Sequence, residues 1–110
     1  MALSNKDKWL RTSHGLERSE YDAILAAQDN RCAICENEFI KKPHVDHDHV
    51  AETIRGLLCF SCNFALGLLH DDLERIARMA EYVENPLFAI PRRTKRKDRS
   101  HYRDRRRERV

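Results

Sequence analysis

The chain has 110 residues, enough for one domain, and 35% of them are Asp, Glu, Lys or Arg. No stretch approaches the roughly 18 consecutive apolar residues of a membrane span. The start, Met-Ala-Leu-Ser-Asn-Lys-Asp-Lys, has no apolar run behind its charges, so no secretory leader is read and a cytoplasmic protein without a membrane partner is expected. The net charge of +3 hides a segregation: residues 1–90 hold 10 Lys+Arg against 15 Asp+Glu, and the last 20 hold 11 against 3.

In chain order, residues 4–11 are expected to form a short helix with Trp9 and Leu10 as its apolar contacts. From about Glu17 to Asp29, Tyr21, Ile24, Leu25 and Ala27 recur at helical spacing, with acids in the first turn, and Asn30 can end that helix. A first Cys-x-x-Cys pair, Cys32 and Cys35, follows. Residues 44–49 alternate as a strand does, 51–53 turn, and 54–58 return as a second strand ending at Cys59. A second pair, Cys59 and Cys62, leads into a helix from Ser61 to about Leu69, whose Phe60, Phe64, Leu66 and Leu69 are expected in the core. Asp71 or Asp72 can cap a last helix carrying Leu73, Ile76, Ala77, Ala80 and Val83 as one apolar stripe, stopped by Asn85-Pro86. The order helix, knuckle, hairpin, knuckle-helix, helix makes this a small α+β domain over residues 1–90.

Residues 91–110 have little to bury, with Tyr102 their only aromatic residue and arginine dominant. Such a tail, disordered or a solvated helix, suits a polyanion, and Arg92, Arg93, Lys95, Arg96 and Lys97 are candidates for nonspecific, salt-sensitive phosphate contacts. The duller reading is a solubilising tail.

Two Cys-x-x-Cys turns are a common way to supply four thiolates to a structural zinc ion. Twenty-three residues separate Cys35 from Cys59, slightly more than the usual 15–20, which leaves room for the hairpin. Disulfides or redox use are the alternative, and a reducing compartment favours metal. A core of some 90 residues is marginal by itself, so a metal staple would matter energetically.

Between the pairs lies Asp46-His47-Asp48-His49, and Asn63 follows the last cysteine. A hairpin and a helix start can gather these carboxylate, imidazole and amide groups round one point. Phosphodiester hydrolysis needs such a point, where a divalent cation offsets charge on the phosphate and a base takes a proton from water. An Asp carboxylate and an Asn amide suit Mg²⁺ or Mn²⁺, and a neutral histidine suits the base. Each residue also has a plainer use. His47 and His49 could ligate a second zinc, Asp48 could be solvated or orient a histidine, and Asn63 could cap its helix. His44 and His70 read as surface residues.

The run CAIC…HVDHDH…RGLLCFSCNFALGLL resembles the recombination endonuclease VII family of phage nucleases, within the HNH or ββα-metal group. The resemblance spans about Tyr21 to Tyr82. It implies an HNH-like ββα-metal core with flanking helices, stapled by zinc on Cys32, Cys35, Cys59 and Cys62. It further implies Asp46 as metal ligand, His47 as general base, Asn63 as the amide completing the metal site, and His49 as a contact to the scissile phosphate. Arg55, in the RGLLC segment, is a candidate for a DNA-phosphate or structural role. Well-known members are intertwined dimers that resolve branched DNA with a further C-terminal region. Here an arginine-rich tail stands after Val83, so nicking or cutting of duplex DNA is the expectation, with branched DNA, a homodimer and phage DNA-processing or packaging proteins as further partners. A noncatalytic zinc-knuckle nucleic-acid-binding protein is the competing reading.

Overall fold

The computed structural model describes residues 3–93 and contains four helices and one two-stranded sheet. The chain divides into two compact units after Leu68. The first holds α1 (Asn5–His14), α2 (Arg18–Ala27), β1 (His44–Asp48), β2 (Thr53–Leu58) and α3 (Phe60–Leu68).

α1 starts where the Ser4 hydroxyl accepts a bond from the Asp7 N–H at 3.1 Å. It runs three residues beyond the expected Arg11, because the helix-stopping residue is Gly15. That glycine takes the left-handed conformation at φ 63°, donating to the Arg11 carbonyl, while the Leu16 N–H reaches back to Leu10. This pattern satisfies carbonyls that a helix end would otherwise leave without a partner. The extension places His14 on the last turn of α1. Leu16, just beyond the cap, is buried and anchors the chain before α2. At the start of α2 the Glu20 carboxylate accepts from the Glu17 N–H, and Glu17 also receives Arg11 at 2.7 Å.

The core is small and evenly supplied. Leu10 from α1, Leu16 from the link, Tyr21 from α2, Val45 from β1 and Leu57 from β2 form it, with Trp9, Ile24, Leu25, Phe39 and Ile54 packed against them. Ala27, expected on the apolar face of α2, is exposed. Gln28 fastens α2 to the sheet: its Nε2 donates to the Arg31 and Leu57 carbonyls, and its Oε1 accepts from the Leu57 N–H at 2.9 Å. Gly56 is required there, since a Cβ would stand 2.8 Å from Gln28 Oε1.

β1 and β2 pair antiparallel, with Val45 opposite Leu57 and Asp46 opposite Gly56. The register then slips by one, so that His47 faces Ile54 and Arg55 is the extra residue of a bulge. Bulges re-aim side chains beside functional sites. β1 ends at Asp48, one residue short of the expected His49. Asp48 Oδ1 accepts from the Val50 and Ala51 N–H groups at 2.9 and 3.1 Å, closing the turn. These two bonds hold its carboxyl below the usual range. Asp48 is therefore a turn-closing residue.

α3 departs from expectation. Phe60 and Phe64 are 62% and 56% exposed, Leu66 and Leu69 only half-buried, and no α3 residue is fully buried. The two phenyl rings stack on each other, centroids 5.7 Å apart, one helical turn apart on the outer face. The apolar cluster is filled by residues of α1, the link, α2 and the two strands, while α3 touches both strands and carries Cys62 of the thiol cluster. The second unit contains α4 (Leu73–Glu84), whose N-cap Asp72 accepts from the Arg75 N–H as expected. Its apolar stripe lies open, Leu73 and Val83 being exposed and Ile76 half-buried.

Candidate active site

The four cysteines converge as their spacing suggests. Their Sγ atoms all lie within 4.8 Å of one another, with Cys35 and Cys59 3.8 Å apart, and none forms a disulfide. Four thiolates at about 2.3 Å from a zinc ion stand about 3.8 Å from each other, so the cluster could hold a structural metal such as zinc. The backbone supports it: the Ile34 N–H points to Cys32 Sγ and the Cys62 N–H to Cys59 Sγ, each at 3.5 Å. The first knuckle turns through Glu36 at φ 63° and docks on β2, where Ala33 donates to the Leu57 carbonyl. Burial pushes the Cys32 thiol up, but bonds from the Cys59, Cys35 and Ile34 backbone outweigh it and bring it to about 6. Burial and the neighbouring sulfurs push Cys35 and Cys62 up. A cation at the centre would reverse that repulsion, since a metal-bound thiol is deprotonated.

Beside this cluster lies a cavity of about 510 Å³. Asp46 and His47 reach it from β1, His49 from the turn, Asn63 from α3, and Trp9 and His14 from α1. Thus the four residues expected to form the site do gather round one hollow. Asn63 is not a helix cap, because α3 begins at Phe60 and Asn63 sits within its first turn, its N–H bonded to the Cys59 carbonyl. One helix therefore carries Cys62 in the thiol cluster and Asn63 at the cavity. His44, read as a surface residue, is half-buried, lines the cavity, and has its ring 5.8 Å from that of Phe60. His70 is exposed.

Arg55 grips Asp46. Its Nε and Nη2 donate to the two carboxylate oxygens at 2.8 and 3.0 Å, and the Asp46 side chain is only 12% exposed. The bulge makes this fork possible by setting Arg55 next to the Asp46–Gly56 pair. Each carboxylate oxygen keeps a second lone pair, so the donor set of Asp46 and Asn63 remains suited to a hard cation. Among the basic candidates of the tail, Arg92 and Arg93 are exposed, and Lys95, Arg96 and Lys97 lie outside the described residues.

His14 was not foreseen. Its Nδ1 lies 3.0 Å from His47 Nε2, and the two rings stack with centroids 4.9 Å apart. The Trp9 ring meets His14 edge-on at 4.7 Å, and Lys42 Nζ sits 3.6 Å above that indole. Burial, then the charges of His47 and Lys42, hold the His14 imidazole below its ordinary pKa. The signal in the sequence was His-Gly four residues after Leu10, a helix stop with a basic last turn.

No helix among the described residues is long and apolar enough to cross a membrane. The family description "Recombination endonuclease VII" matches residues 7–85. Two phage proteins, each called "Gene 59 protein", are similar over 77 residues: that of Mycobacterium phage D29 at 40% identity and that of Mycobacterium phage L5 at 42%. The match covers 67% of this chain but 47% of each relative, so the chain spans about half the length of the curated relatives it matches. No solved structure matches it. With the two cysteine pairs, the DHDH turn and the asparagine all inside the matched segment, the chain belongs to the recombination endonuclease VII family.

Proposed function

We propose that this protein is a metal-dependent DNA endonuclease of the HNH type, its hairpin and α3 forming a ββα-metal core stapled by zinc on Cys32, Cys35, Cys59 and Cys62. The observation that carries this reading is the gathering of Asp46, His47, His49 and Asn63 from a strand, a turn and a helix round one cavity. A noncatalytic binding module has no need to set a carboxylate, imidazoles and an amide about one point.

Asp46 and Asn63 would hold Mg²⁺ or Mn²⁺, which when bound offsets charge growing on the phosphate and the leaving oxygen. His47 takes a proton from water as the water oxygen bonds to phosphorus. The bond from phosphorus to the sugar oxygen breaks, and its electron pair leaves on that oxygen, which solvent protonates. His49, its ring 6.1 Å from that of His47, would hold the scissile phosphate. Arg55 orients the Asp46 carboxylate and adds positive charge near the path of the DNA backbone. The basic residues from Arg92 onward bind phosphates without reading sequence. Duplex DNA is the proposed substrate, and action on branched DNA, as a homodimer or beside phage packaging proteins in the host cytoplasm, extends the same reading.

Supercoiled plasmid incubated with Mg²⁺ tests it. The parent protein is expected to give nicked and linear DNA, His47→Ala none, and EDTA is expected to stop the parent. Retardation of the DNA by both proteins with cleavage by neither, on plasmid and on branched DNA alike, would establish the binding-module reading instead.

A further inference from the structure

We infer that His14 is a positioning residue for the base: its Nδ1 accepts a hydrogen bond from His47 Nε2–H, which leaves the Nδ1 lone pair of His47 to take the proton from water. The direction of this bond rests on the proposed nuclease reading, whereas the contact between the two rings does not.

The two nitrogens stand 3.0 Å apart, so one of them carries the hydrogen between the rings. A neutral imidazole has one N–H and one lone pair, which allows two pairings. If His14 donated, His47 Nε2 would spend its lone pair on that bond and Nδ1 would carry a hydrogen, so His47 could take no proton. If His47 donates, its Nδ1 holds the lone pair, and among the described residues Nδ1 has no hydrogen-bond partner. Only the second pairing leaves a base. It also survives the reaction, because the protonated His47 ring still donates through Nε2 to the same acceptor.

The surroundings hold His14 in the accepting role. The Gly15 cap ends α1 immediately after it, and the buried Leu16 pins that end in the core. The edge-on Trp9 ring limits its rotation. His14 and His47 also line a second hollow of about 370 Å³ on the turn side, with His49 and Glu52. Partners of this kind, one step behind a working histidine, commonly set its tautomer.

The test uses the zinc-loaded full chain and two variants. Asn in place of His14 keeps an oxygen acceptor where Nδ1 stood, whereas Leu keeps bulk without an acceptor. Long-range ¹H–¹⁵N spectra of the ring nitrogens are expected to show His47 protonated at Nε2 in the parent and in His14→Asn, and a mixture of tautomers in His14→Leu. In single-turnover cleavage, kcat should fall about 10- to 100-fold in His14→Leu with KM unchanged, and be largely kept in His14→Asn. A parent His47 protonated at Nδ1, or equal losses of kcat in both variants, would overturn the inference. The tautomer spectrum decides the matter even for a protein that cuts no DNA, so failure of the nuclease reading stays distinct from failure of this one.

Discussion

The hairpin is flanked by two regions held by different physics. On one side α1 and α2 attach through Leu10, Leu16, Tyr21 and the Gln28 bonds, and they bring His14 to His47. On the other, α3 contributes no fully buried residue, touches both strands and joins the thiol cluster through Cys62, bringing Asn63 to the same cavity. An apolar core is built from many small increments and tolerates adjustment. A thiolate cluster concentrates its stabilisation in four atoms and one ion. The site is therefore assembled by two kinds of attachment, one of many small contributions and one concentrated in the thiol cluster.

The largest expected effect comes from the cysteines. Structural zinc in small domains carries an apparent binding free energy on the order of 10 kcal/mol, more than five buried core side chains can replace once chain entropy is counted. Cys59→Ser should therefore unfold the body, seen as loss of cooperative melting by circular dichroism together with loss of bound zinc. A zinc-free Cys59→Ser protein that still melts cooperatively and cuts DNA would mean that the apolar side suffices. His47→Ala should do the opposite: its melting should match the parent within about 1 kcal/mol. Cleavage should fall about 10²- to 10⁴-fold, the usual worth of a general base.

Smaller changes sharpen the contrast. Arg55→Met leaves the poorly exposed Asp46 carboxylate without its fork, and should cost about 1–3 kcal/mol in urea unfolding, discounted because Arg55 itself is partly exposed. Gly15→Ala meets no atom within 4 Å, so its cost is only that of a left-handed backbone, about 1–2 kcal/mol. Since Gly15 sets the end of α1, that variant should also loosen the His14–His47 contact, visible as a change in the His47 ring signals.

The mildest prediction concerns pH. His14 titrates below its ordinary 6.5 when folded, so between those two values the unfolded chain binds more protons. Its contribution is fully present above about 6.5 and is lost as the pH falls toward the folded value. The stability gap between the parent and His14→Asn should therefore narrow from pH 7.5 to pH 5.5, measured by urea unfolding at each.

What the sequence by itself determined is local or periodic. The Cys-x-x-Cys spacing specified the thiol cluster, because two short turns presenting sulfurs need no distant partner to be recognised. The alternation from His44, the Asp72 cap and the Asn85-Pro86 stop located β1 and α4 to within a residue or two. The hairpin-and-helix arrangement expected from those signals accords with Asp46, His47, His49 and Asn63 lining one cavity, whereas the roles expected of them came from the family resemblance.

The tertiary structure alone decided the rest. That His14 meets His47, 33 residues away, depends on where the end of α1 lies beside β1, which no periodicity encodes. The Asp46–Arg55 fork depends on a one-residue slip in strand register, and either register satisfies the same alternation. Phe60 and Phe64 were misread as core because apolar character reports what a residue prefers. Whether it is buried depends on which residues fill the core, and here Leu10, Leu16, Tyr21, Val45 and Leu57 fill it.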